Sequence, residues 1–264
     1  MYEFTYNRAA SMDEAVDLLR KSSEASLLAG GMSLIPTMKL RLSSPPELVD
    51  LNGLPELSGI NLDGDTLTVG AMTRHADVAA SPEVAGAIPA LTALASGIGD
   101  VQVRNRGTIG GSICFNDPAA DYPAGLVGLG ATVHTSQRSI PADEFFLPLF
   151  ETALNSDEIV SSVSFPVPDK AGWSKFANLA SRFAIVSVMV SARGSSVRVA
   201  VAGAKDCVFR VAEMEQALAS AFSPDAIAGI GVAADDLNSD QHADAEYRSH
   251  LITVVAKRAV AACG

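Results

Sequence analysis

Cysteine is scarce in this chain. Cys114, Cys207 and Cys263 are spread over 264 residues with no C-x-x-C pair. That spacing offers neither a disulfide framework nor the ligand set of an iron–sulfur cluster, and it fits a reducing cytoplasm. Positive charge is short as well. Lys and Arg number 19 against 30 Asp and Glu, a net charge of −11, so phosphate backbones and anionic membranes are poor partners. No apolar run approaches the ~20 residues of a membrane span. The N-terminal Met1-Tyr2-Glu3-Phe4-Thr5-Tyr6 lacks a basic n-region and an apolar h-region, and it reads as untargeted.

The common enzyme signatures are missing too. Gly31-Met32-Ser33-Leu34-Ile35 puts Ile35 where a nucleophile elbow needs its second glycine. His75, His134, His242 and His250 stand apart with no H-E-x-x-H, and they read as solvated or half-buried structural residues with no metal centre. Gly97-Ile98-Gly99-Asp100-Val101-Gln102 imitates a dinucleotide fingerprint without its third glycine.

What is present is a core. Hydrophobic residues make up 48 % and charged ones 19 %, and the length allows two modest domains at roughly 150 residues each. A capping box at Ser11-Met12-Asp13-Glu14 predicts a helix over 12–21, after a strand at 2–5. Short strands are expected at 26–29, 48–51, 67–71 and 131–135, and helices at 76–80, 88–96 and 121–129. An alternating strand is expected at 158–167. Breakers at 166–172 mark a boundary. Beyond it, 184–192 and 197–203 read as a hairpin, and 211–220 and 247–261 as helices. Gly97, Gly99, Gly107, Gly110 and Gly111 crowd one stretch, which reads as a shaped loop.

Two glycine-centred segments stand out, Ala29-Gly30-Gly31-Met32-Ser33-Leu34 and Thr108-Ile109-Gly110-Gly111-Ser112. Paired glycines let backbone N–H groups converge with no Cβ in the way, and a helix start adds free donors and positive dipole. Such a cradle suits a pyrophosphate, with Ser33 and Thr108 as added hydroxyls. Two tight turns needing positive φ would explain the same residues.

The surrounding sequence resembles one family. The stretch from Leu28 through the first glycine pair to Leu42 is similar to the first flavin-binding motif of the FAD-carrying medium subunits of molybdenum hydroxylases, the carbon monoxide dehydrogenase and xanthine dehydrogenase type. Val103 to Ser112, followed by Asn116-Asp117-Pro118-Ala119-Ala120-Asp121, resembles the second. Thr73-Arg74-His75-Ala76-Asp77 and the terminal stretch His242 to Arg248 extend the likeness over essentially the whole chain.

The resemblance implies an α+β fold. A two-subdomain FAD-binding domain of the vanillyl-alcohol-oxidase-like, PCMH type would occupy residues 1–168, with subdomains of about 1–55 and 56–168. An α+β C-terminal domain of the carbon monoxide dehydrogenase flavoprotein type would occupy 169–264. It also implies that Ala29, Gly30, Gly31, Met32, Ser33 and Leu34, with Thr108, Ile109, Gly110, Gly111 and Ser112, wrap the cofactor. Gly99 would pass close to FAD, Asp121 would hydrogen-bond it, and Lys175 would lie near the flavin. A solvated strand position is the plain alternative for Lys175.

No residue of this chain is assigned a catalytic role, because the flavin carries the redox chemistry. Electrons would arrive from [2Fe-2S] clusters of a small partner subunit and leave to an external acceptor. Substrate oxidation would occur on a large subunit holding the molybdenum-pterin cofactor, in a cytoplasmic dimer of heterotrimers. A stand-alone flavin oxidase or reductase and a flavin-free interaction module are the competing readings. Two departures from the family pattern matter: Met32 where a polar residue is common, and Ser181-Arg182 where many relatives have Gly-Asp.

Overall fold

The computed structural model describes residues 1–263. The chain opens with β1 (Thr5–Arg8), α1 (Met12–Lys21), β2 (Ser26–Leu28), α2 (Leu34–Lys39) and β3 (Glu47–Asp50). The strands form a parallel sheet in the order β1-β3-β2. Helix α1 starts where the capping box puts it. Ser11 Oγ accepts the Glu14 amide at 3.2 Å, and Glu14 reaches back to the Ala10 amide at 2.8 Å. Ala15, Val16 and Leu19 are the face it buries, against Val49, Leu51 and Leu54. The first strand begins three residues later than expected, because pairing with β3 starts at Thr5↔Glu47.

Next come β4 (Ile60–Asp63), β5 (Thr66–Gly70), α3 (His75–Ala80), α4 (Pro82–Ala87), α5 (Pro89–Ser96), α6 (Val101–Arg104), α7 (Ile109–Phe115) and α8 (Tyr122–Leu129). They are followed by β6 (Thr132–Thr135), β7 (Ser139–Pro141), α9 (Ala142–Phe145), β8 (Phe146–Leu147), β9 (Glu151–Thr152) and β10 (Val160–Pro166). An antiparallel sheet runs β4-β5-β10-β6-β7. The glycine-dense stretch is only partly loop. Asp100 caps α6 through the Val103 amide at 2.9 Å, and Thr108 caps α7 through the Gly111 amide at 3.1 Å. A side-chain cap of this kind contributes about 1 kcal/mol, and tertiary contacts described below outweigh the glycine cost.

The chain ends with β11 (Lys170–Ala177), β12 (Ala184–Arg193), β13 (Ser196–Ala202), β14 (Phe209–Arg210), α10 (Ala212–Ser220) and α11 (Ala245–Ala261). The four strands form an antiparallel sheet in sequence order. The hairpin of β12 and β13 turns through Gly194 at φ 57°. Sequence reading placed breakers across 166–172, yet β11 already starts at Lys170, which leaves only 167–169 between strands. Helix α11 packs on this sheet, and its Arg248 is 3 % exposed. That guanidinium donates to Ile185 O at 2.6 Å and Gly203 O at 2.9 Å and pairs with Asp240 at 2.7 Å. The terminal family-like stretch thus clasps the sheet through its buried Arg248, while most of its other residues stay exposed.

Helix α8 joins the sheets. All eight of its residues are buried, and Ser191 Oγ on β12 donates to Gly128 O at 2.6 Å. A Cβ at Gly128 would stand 2.6 Å from Met189 Cγ, so glycine permits the close approach. Asp121, just before α8, and Lys175 on β11 are brought together by this packing.

Candidate cofactor cleft

The first glycine segment leaves β2 and turns into α2. Gly31 sits at φ 71°, the left-handed region that glycine enters without penalty. A Cβ at Gly30 would overlap the carbonyl oxygen of Arg106. The first segment therefore touches, backbone to backbone, the turn that leads into the second. Among the described residues, the amides of Gly30, Gly31, Met32 and Ser33 donate to no protein acceptor. Four consecutive free N–H groups beside a left-handed residue make an anion-binding concavity.

The second segment is built differently. Its amides are engaged by the chain before α3: Ile109 N–H donates to Thr73 O at 3.1 Å, and Gly110 N–H to Ala71 O at 2.8 Å. The Gly111 amide goes to Thr108 Oγ1, so the expectation of free donors at this helix start is corrected. Gly110 is a packing glycine, since a Cβ would meet Ala71 O at 2.7 Å. At Gly111 a Cβ would meet only Thr108 Oγ1 at 3.0 Å and Ala29 Cβ at 3.7 Å. Gly111 therefore faces the first segment.

Between the segments lies a cleft of about 600 Å³. It is lined by the whole run from Ala29 to Leu34, by Gly99, Thr108, Gly110, Gly111 and Ser112, and by Asp121. Gly99 holds φ 46° there. Two expected residues lie outside it. Ile109 is fully enclosed in the core with Leu91 and Ile113, because the helical turn that aims Gly111 at the cleft aims its neighbour inward.

Lys175 lies behind the cleft wall rather than on it. Its side chain is 7 % exposed, which rules out the solvated alternative, and its ammonium pairs with Asp121 at 2.7 Å. It also donates to Gly97 O at 2.8 Å and Arg182 O at 3.1 Å. Asp121 lines the cleft, and its Oδ1 is buried with no partner. Burial pushes its carboxyl up to about 6, with Lys175 opposing the rise.

Sequence reasoning missed His75. It is 4 % exposed rather than solvated or half-buried, and its ring occupies the space beside Gly107, where a Cβ would stand 2.6 Å from Nε2. Its amide donates to Gly107 O at 2.9 Å, so it helps pin the second segment. The imidazole lines the cleft while Nδ1 is buried without a partner. Only its place in the family-like Thr73–Asp77 stretch could have flagged it.

Burial, reinforced by the Arg104 charge, pulls the His75 imidazole down to about 4. The fold keeps the ring neutral, whereas the unfolded chain protonates near 6.5. Stability should therefore fall as pH drops from 6.5 towards 4, by up to about 3 kcal/mol. Replacing His75 by Phe should flatten this part of the urea-stability profile; an unchanged slope would assign the acid sensitivity elsewhere.

Other chemistry at the cleft is quiet. Burial pushes the lining thiol of Cys114 up to about 12, which leaves it protonated and inert at neutral pH. Among the described residues, no group of His, Cys, Asp and Glu is placed to hold a metal ion. What the cleft offers is a polyamide cradle at one wall and a buried carboxylate at another. This set fits FAD, whose pyrophosphate needs N–H donors and whose polar tail can use the free Asp121 oxygen.

Comparison with known proteins agrees. Residues 2–168 match the family described as the FAD binding domain in molybdopterin dehydrogenase. The nicotine 6-hydroxylase medium subunit of Paenarthrobacter nicotinovorans is 34 % identical over 98 % of this chain and 96 % of its own length. The carbon monoxide dehydrogenase medium chain of Hydrogenophaga pseudoflava is 35 % identical over 97 % and 96 %. Among solved structures, the carbon monoxide dehydrogenase of H. pseudoflava that lacks the Mo-pyranopterin moiety superimposes with a TM-score of 0.86 at 34 % identity, covering 99 % of this chain and 97 % of that one. Quinoline 2-oxidoreductase from Pseudomonas putida 86 gives 0.89 at 28 % identity, over 98 % and 96 %. With a cradle and an unpartnered carboxylate in its cleft, and kinship along nearly its full length, the chain belongs to the FAD-binding medium-subunit family of molybdenum hydroxylases.

Proposed function

We propose that this chain is the FAD-carrying electron-transfer subunit of a molybdenum-containing hydroxylase or dehydrogenase. It takes electrons from [2Fe-2S] clusters on a small partner subunit and passes them to an external acceptor, while a large molybdenum-cofactor subunit oxidises the substrate. The observation that carries this reading is the run of four unengaged amides from Gly30 to Ser33 opposite the partnerless Asp121 Oδ1. The printed names of relatives, a nicotine 6-hydroxylase medium subunit and a carbon monoxide dehydrogenase medium chain, support it. We also propose the division into 1–168, with subdomains 1–55 and 56–168, and 169–264, since the three larger sheets have largely separate cores. A dimer of heterotrimers in the cytoplasm completes the proposal; three unpaired thiols suit that reducing compartment.

Bound FAD supplies two-electron and one-electron redox chemistry at a single ring. The protein's part is to bind and orient. The amides of Gly30 to Ser33 would take the pyrophosphate, and Asp121 Oδ1 would accept from a hydroxyl or ring N–H. Lys175 holds the Asp121 carboxylate in place from behind. Met32 offers its amide but no polar side chain, so the cradle here rests on backbone. No strong general base is required.

The test is a visible spectrum of the purified chain before and after incubation with FAD, read beside its melting temperature. A ligand bound only by the native state adds RT ln(1 + [L]/Kd), about 2.7 kcal/mol at one hundred times Kd. For a chain of this size that is a rise of roughly 5–10 °C. An oxidised-flavin spectrum with this shift supports the reading; neither flavin nor shift at saturating FAD contradicts it.

A further inference from the structure

The cleft lining carries one cation that forms no ion pair with the described residues. The turn between β11 and β12 places Ser181, Arg182 and Phe183 along the cleft, and all three are exposed. Arg182 is the only Lys or Arg among the lining residues. Its guanidinium makes no ion pair or hydrogen bond to the described residues; of the three lining carboxylates, Asp121 and Glu158 are paired with Lys175 and Arg138, and Asp117 accepts the Ala119 amide without pairing to a cation.

Its backbone is also costly. Arg182 holds φ 67°, a left-handed conformation that side-chain-bearing residues avoid. The turn is firmly built around it. Asn178 N–H donates to Phe183 O and Arg182 N–H to Asn178 O, both at 2.8 Å, while Asn178 Oδ1 accepts the Ala180 amide at 2.8 Å. Lys175 anchors Arg182 O at 3.1 Å, tying the turn to the Asp121 pair. A strained position fixed by several hydrogen bonds, displaying an unpaired charge at a cleft, is the pattern of a functional contact.

We propose that Arg182 determines the class of external electron acceptor, selecting small acceptors that carry an anionic group. This rests on the reading of the chain as a flavin electron-transfer subunit and specifies its outgoing step. The chain as a whole, at net charge −11, repels anions, so a local cation at the rim governs their encounter. Phe183, half exposed beside it, offers an aromatic face to the acceptor.

The experiment uses the full chain loaded with FAD and photoreduced without oxygen, with stopped-flow oxidation by three probes. Ferricyanide is anionic, 1,4-benzoquinone neutral and hexaammineruthenium(III) cationic. With ferricyanide the balance is FADH⁻ plus two ferricyanide ions giving FAD, two ferrocyanide ions and one proton to solvent. Arg182→Gln should slow ferricyanide about tenfold, leave benzoquinone within twofold and speed the ruthenium complex. The ferricyanide rate should lose much of its salt dependence.

Flavin content and midpoint potential, read by spectroelectrochemistry, should match the parent. Rates that fall in parallel for all three probes, or a displaced potential, would show Arg182 acting through the flavin and overturn the assignment. An unchanged ferricyanide rate would overturn it too, leaving the arginine as a contact for a partner protein. A chain that binds no FAD refutes the electron-transfer reading itself, and is told apart by its spectrum before any acceptor is added.

Discussion

Lys175→Met is expected to cost about 3–5 kcal/mol of folding stability at neutral pH, because it leaves a buried carboxylate without its partner. Both side chains are nearly closed to solvent, at 7 % and 5 % exposure, so water cannot replace the ammonium. The loss also frees the carbonyls of Gly97 and Arg182, which Lys175 now binds.

The pH dependence has a definite sign. Asp121 already has its carboxyl raised by burial, and removing the opposing cation raises it further. An acid whose folded pKa lies above its unfolded value loses stability as pH rises between the two. The deficit of Lys175→Met should therefore be widest near pH 8 and narrow towards pH 5. Pairing it with Asp121→Asn should recover more than half of the loss. Urea titrations of the single and double variants at three pH values decide this; a deficit under about 1 kcal/mol would mean the pair is hydrated and behaves like a surface bridge.

Gly111→Leu is expected to lower FAD affinity by about a hundredfold or more, about 2.7 kcal/mol, while leaving the fold in place. A Cβ at Gly111 meets no backbone atom and has Ala29 Cβ as its only carbon neighbour, at 3.7 Å. The rest of a leucine must then extend into the gap between the two segments, where the pyrophosphate is proposed to lie. Gly30→Ala is the contrasting control. There the added Cβ overlaps Arg106 O, so the first segment and the turn before the second are forced apart and stability falls along with binding. Far-UV circular dichroism, melting temperature and bound flavin separate the two outcomes. Full flavin content in Gly111→Leu would move the cofactor away from the second segment.

Much of this was legible from local chemistry. The helix at 12–21 follows from Ser11 and Glu14, whose side chains accept amides three and four positions away, and the structure starts it at Met12. The β12–β13 hairpin follows from two apolar runs around Gly194. The glycine pairs mark where backbone must pass without side chains. All of these involve residues within a few positions of one another, so the chain specifies them before it folds.

The rest depended on partners distant in sequence. Strand β11 was hidden because Gly172 reads as a breaker; it is a glycine because Ala259 O on α11 passes where its Cβ would be. Helix α7 forms through two glycines because Ala71 and Thr73, nearly forty positions earlier, take its first amides. His75 resembles any solitary histidine until Gly107 and Tyr122 close around it.

The sequence by itself thus determined the glycine segments and their likeness to a flavin-binding family. Only the tertiary structure divided their labour, with free amides in the first segment and engaged ones in the second. Only it joined Asp121 to Lys175 and left Arg182 unpaired at the rim, since charge pairing across 54 positions is fixed by packing and not by spacing.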